Sequence, residues 1–195
     1  MQHSQTAAQP TSIEQARAMA IAAMQQQQPP ALETLQQILS AWPHDGPLCF
    51  LYASELAAQQ HYDQALAAFT DAVTFAPELH IARLQLCLLA ASNEALELMQ
   101  QHLPVLVALG EQDPIGCFAG ALTAIFADDQ PEGNVNASRL LQQGIKLNQQ
   151  NPALNQDMEQ LLSRINQAPA ESESETNTSN TLDRSVLLDI YHNRH

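Results

Sequence analysis

Seven histidines, three cysteines and 21 acidic side chains are the groups in this 195-residue chain that could do chemistry. Their spacing argues against a reaction centre. His3, His44, His61, His80, His102, His192 and His195 are scattered, with no HExxH pair to offer two rings to zinc from one helical face. There is no GxSxG elbow, no phosphate-cradling P-loop and no glycine-rich dinucleotide fingerprint. His44 and Asp45 are adjacent, but in a turn position where capping is the ordinary role. Asp128, Asp129 and Glu132 crowd one loop without the ligand spacing of an EF-hand. Cys49, Cys87 and Cys117 are widely separated and form no CxxC pair, which predicts buried free thiols in a reducing compartment. The expectation is a non-enzyme with no catalytic residue, no cofactor and no metal.

Charge narrows the partners. The formal net charge is −14 at pH 7, and no Lys or Arg lies between Arg83 and Arg139. Nucleic acid and anionic membrane both require a basic surface, so neither is expected. The acidic surface either attracts a partner with basic flanks or simply keeps the chain soluble. The first residues, MQHSQTAAQPTS, carry no basic segment, and no apolar run is long enough to span a bilayer. No signal peptide, no membrane insertion and a cytoplasmic address are expected.

The elements that organise the chain are helices. Leu and Ala dominate the apolar residues, and no segment alternates with period two, which predicts an all-α protein. The stretch from Gly46 to Leu79 holds two short amphipathic helices. Ala53 and Ala65 are small where two backbones would approach, Leu56 and Phe69 fill the space beside them, and Pro77 stops the second helix. The turn between them is expected at His61-Tyr62-Asp63. Thirty-four residues back, Ala31, Leu35, Ile38 and Pro43 repeat the pattern of Ala65, Phe69, Ala72 and Pro77. Forward steps give Leu86, Cys87 and Ala90, then Met99, Leu103 and Leu106, then Gly120, Ala121 and Ala124. Units therefore begin near Ser12, Gly46, His80 and Pro114.

Further helices are expected at about 79–91 and 94–109, the second capped by Ser92 or Asn93. Others are expected from Pro114 with Asp113 as cap, over about 135–148, and over 152–166. The last carries Leu154, Met158, Leu161, Leu162 and Ile165 in a stripe, suited to closing a solenoid's end or to dimerisation.

With Tyr52, Ala53, Leu56, Ala65, Phe69, Ala72 and Pro77 in these places, the chain resembles the tetratricopeptide repeat (TPR) family. The resemblance implies a right-handed α-α superhelix of about four helix pairs with a capping helix and a tethered tail. It also implies a concave groove lined by Ala16, Ala20, Phe50, Ser54, Ile81, Leu84, Leu88, Ile115, Phe118 and Leu122. These residues are almost all apolar. They lack the cations of TPR domains that clamp a terminal carboxylate, and they suit an apolar or amphipathic polypeptide.

The domain organisation follows. Residues 1–11 are expected to be disordered, 12–167 to form the repeat domain and 168–180 an acidic, flexible linker. Residues 181–195 turn apolar again, through Val186, Leu187, Leu188, Ile190 and Tyr191. They form either a tethered recognition segment, docking in cis, on another protein or by exchange in a homodimer, or a last piece of the folded domain. The resemblance implies a non-enzymatic adaptor or scaffold, with a place in assembly of a bacterial secretion or surface-appendage system as first context. The alternative is a dedicated chaperone for a secreted or assembly-prone client.

Overall fold

The structure, a computed structural model, describes residues 10–25, 31–126 and 133–167. Every regular element among them is a helix. In order these are α1 (Ile13–Gln25), α2 (Ala31–Ala41), α3 (Gly46–Ala58), α4 (Tyr62–Phe75), α5 (His80–Ser92), α6 (Leu96–Val107), α7 (Pro114–Phe126), α8 (Gly133–Leu147) and α9 (Pro152–Gln167). The all-α expectation holds for these residues. The chain divides into two compact units, one ending at Ala82 and the other beginning at Arg83.

In the first unit α1 packs on α2 and α3, α2 on α3, and α3 on α4. Ser12 starts α1: its Oγ accepts from the Gln15 amide at 3.2 Å, and Gln15 Oε1 accepts from the Thr11 amide at 2.8 Å. The first bond satisfies an amide that the first helical turn leaves without a partner, and the second ties the residue before the cap onto that turn. Ala16, Ala20, Leu35, Ile38 and Leu48 form a buried cluster, with Met24, Trp42 and Tyr52 packed at its margin. Trp42 thus lies where α1, α2 and α3 converge. Ala53, Ala65, Leu56 and Phe69 are all buried, and the Phe50 and Phe69 rings stand 6.0 Å apart across the α3–α4 pair. Gly46 permits this pairing, because a Cβ there would fall 2.5 Å from Ala76 Cβ and 2.9 Å from the Ala72 carbonyl oxygen.

The second unit takes in α5 from Arg83 onward, and its residues are buried without a break from Arg83 to Ser92. A helix apolar around its whole circumference, as RLQLCLLAAS nearly is, can be stable in water only as a core element. Each fully buried leucine contributes about 1.5–3 kcal/mol. Beyond it α6 packs on α7, α7 on α8 and α8 on α9. Leu154, Met158, Leu161 and Ile165 of α9 are buried, whereas Leu162 is half-buried. Gly144 lets α9 come close, since a Cβ there would stand 3.0 Å from Met158 Sδ. Between α8 and α9 the buried Asn148 donates to the Asn151 carbonyl at 2.7 Å and to Asn155 Oδ1 at 2.8 Å. Asn151 Oδ1 in turn accepts from the Leu154 amide at 3.1 Å and caps α9.

Local geometry recurs at the spacing of the sequence pattern. Gln60 and Glu94, 34 residues apart, are the two non-glycine residues with positive φ among those described, at 63° and 61°. The amide after each closes onto the carbonyl five residues earlier, His61 to Leu56 and Ala95 to Ala90, both at 2.9 Å. This is the left-handed helix ending that usually takes glycine. At twice the spacing, Asp45 Oδ1 accepts from the Leu48 amide at 2.9 Å, and Asp113 Oδ1 accepts from the Gly116 amide at 3.1 Å. Cys49 Sγ points at the Pro43 carbonyl and Cys117 Sγ at the Glu111 carbonyl, again 68 positions apart.

Two expected boundaries move for one reason. The turn in the first pair is Gln59–His61 and not His61-Tyr62-Asp63. Likewise α6 begins at Leu96, and neither Ser92 nor Asn93 caps it. Ser92 Oγ donates back to the Leu88 carbonyl at 2.9 Å and Asn93 Nδ2 to the Leu89 carbonyl at 3.0 Å, so both belong to the end of α5. A side chain at positive φ costs about 1–2 kcal/mol, part of which glycine's larger unfolded-state entropy offsets. Gln60→Gly should therefore stabilise the chain by about 0.5 kcal/mol. A raised urea midpoint for this variant would bear this out, and a lowered one would contradict the left-handed turn.

Candidate partner-binding surface

The structure divides the ten expected groove residues. Ala16, Ala20, Leu84, Leu88, Phe118 and Leu122 are buried, each at most 1 % exposed. In this conformation they are interior packing and not an open wall. Phe50, Ser54, Ile81 and Ile115 keep partial exposure and are the positions a partner could touch. The physical reason for the division lies in size and neighbours. Ala16 and Ala20 are short side chains within the cluster joining α1, α2 and α3, and Leu84 and Leu88 belong to a helix buried on all faces. The linker at 168–180 and the tail residues Val186, Leu187, Leu188, Ile190 and Tyr191 lie outside the described residues. So do the N-terminal residues 1–9 and the acidic loop with Asp128, Asp129 and Glu132.

Around the partly exposed positions the polar groups are engaged locally. Ser54 Oγ donates to the Phe50 carbonyl at 2.8 Å, one turn back along α3. Arg17 reaches from α1 to Asp45, with Nε donating to Oδ1 at 3.1 Å, and so ties α1 to the capped start of α3. The Arg17 side chain is 42 % exposed, so the pair orients more than it stabilises. In the second unit Arg139 grips Glu111 with two bonds of 2.9 Å. The hydrogen bond from Arg139 holds the Glu111 carboxyl below its usual range, but both side chains are about half exposed. His44 lies beside the exposed Phe75, ring centroids 4.8 Å apart.

Burial disfavours the thiolate form at all three cysteines. All three cysteines are free and buried. Burial pushes the Cys49 thiol up to about 11 and the Cys87 thiol up to about 12, and it raises Cys117 as well. Nucleophiles and metal ligands are thiolates, so these side chains act as small apolar packing. Among the described residues no three His, Cys, Asp or Glu side chains gather closely enough to hold a metal ion. No helix among them is long and apolar enough to cross a membrane.

One contact was not legible in the sequence. Arg83, itself buried, places its guanidinium NH1 2.8 Å from His102 Nδ1, joining α5 to α6. Their spacing along the chain matches no motif, and only the folding of this helix pair brings them together. Comparison with protein-family models, curated proteins and solved structures finds no match to the chain.

Proposed function

We propose that the chain is a protein-binding adaptor or scaffold built as a TPR-like solenoid of helix pairs. The observation that supports this reading best is the recurrence of one helix-ending turn at Gln60 and Glu94, 34 residues apart. Repetition of a turn, an Asp cap and a buried thiol at multiples of one period supports a reading of the chain as equivalent repeated units. Arrays of that kind present extended surfaces to other polypeptides. Each unit offers a partner its own partly exposed first-helix positions: Phe50, Ser54 and Ile81 on the first, and Ile115 on the second. The partner's chemistry would be an apolar or amphipathic segment, with basic flanks to match the net charge of −14.

The test is affinity purification of the full chain from its native cells, run beside Ser54→Arg and Ile115→Glu variants. A stoichiometric protein partner, lost from a variant whose thermal melt is unchanged, is the expected result. Recovery of the same partner by both variants, or of none by the parent chain, would overturn the reading. A single client that aggregates when released would favour a chaperone over a scaffold.

A further inference from the structure

We propose that Arg83 and His102 form an acid-sensitive latch between α5 and α6, closed while the His102 ring is neutral and opened when it takes up a proton. The geometry carries this. Arginine cannot give up its charge at any ordinary pH and has only donors to offer. At 2.8 Å its NH1 therefore donates to His102 Nδ1, which must hold a lone pair, and the ring proton sits on Nε2. Protonating Nδ1 would set two cationic groups donor to donor at hydrogen-bond distance. Arg83 is 8 % exposed and engaged elsewhere as well, so it cannot swing into solvent to relieve the conflict. His102, on an exposed stretch of α6 and only half-buried, is the partner that can leave.

The other titratable groups on α5 and α6 are His80, Cys87 and Glu97, the turns after the two helices carry Glu94 and Glu111, and α7, packed on α6, carries Cys117. Among the described residues the charge that acts on the His102 ring is that of Arg83. Burial first, and the Arg83 charge second, lower the ring's affinity for a proton below the ordinary histidine value of 6.5. The unfolded chain then binds more protons than the folded one as pH falls below that value. Stability is present above about 6.5 and is lost as pH descends toward the lowered folded value. Opening would free α6 from a helix whose every face is otherwise buried.

The experiment compares thermal melts of the full-length chain and His102→Gln at pH 7.5 and 5.5. Glutamine can still accept from Arg83 through its side-chain oxygen but does not titrate. The parent chain should lose on the order of 5 °C more than the variant over this interval. Hydrogen exchange, corrected for intrinsic rates, should rise in α6 of the parent alone. Nitrogen shifts of the histidine rings in the parent chain supply a second measurement, which stands even if the variant fails to fold. They should show one ring protonated on Nε2 and titrating below 6.5. Equal losses in both chains, or a His102 ring that titrates at or above 6.5, would overturn the proposal. Partner binding does not enter the test.

Discussion

Gly116→Ala should cost the second unit about 2–3 kcal/mol, lowering its melting temperature by roughly 8–15 °C. In an ordinary helix the change would help, because alanine is about 1 kcal/mol better than glycine in a helix interior. Here the added Cβ would drive into the carbonyl oxygen of Gly110, a backbone atom that cannot turn aside like a flexible side chain. Gly110 is itself held at φ 79° in the turn after α6, and its carbonyl accepts from the Asp113 amide, so the turn and the start of α7 would have to move together. Gly120→Ala is the internal control. Its Cβ would meet the end of the Leu140 side chain at 3.2 Å, which can shift, and it should be neutral or slightly stabilising. Calorimetry of the two variants checks the pair. Equal behaviour would mean that α7 does not approach the Gly110 turn as described.

Phe118→Ala should be at least as damaging, at about 3–5 kcal/mol. Phe118 is wholly buried on α7, beside other fully buried positions such as Leu122 and Cys117. Removing its ring opens a cavity among neighbours fixed by backbone packing. The same substitution separates two roles for this position. A residue lining an open groove could be truncated with a small change in melting temperature and a large loss of partner affinity. A core residue loses stability whether or not a partner is present. A melt within about 2 °C of the parent chain would restore Phe118 to the binding surface.

Much of the architecture was legible because helix pairs leave a periodic trace. Small residues at Ala53 and Ala65, large ones at Leu56 and Phe69, and the stop at Pro77 follow from how two helices must approach and end. Asp113 announced the start of α7, because the first turn of a helix leaves amides that such a side chain satisfies. The start of α6 was misplaced because Ser92 and Asn93 can bond backward to α5 as easily as forward. Nothing in a serine's identity says which.

The chain's own order of residues thus determined the helical class, the 34-residue register and most helix ends, since these depend on interactions within a few turns. Tertiary structure alone decided which apolar faces stay open. Leu84, Leu88, Phe118 and Leu122 look, by position, the same as Phe50, Ile81 and Ile115, and whether such a side chain meets water depends on elements distant in sequence. The same holds for Arg83 and His102, whose meeting at 2.8 Å requires one helix to be laid against another. Cross-helix contact is a property of the assembled chain, and outside a helix apolar on every face, such as α5, so is the choice of which apolar side chains are buried.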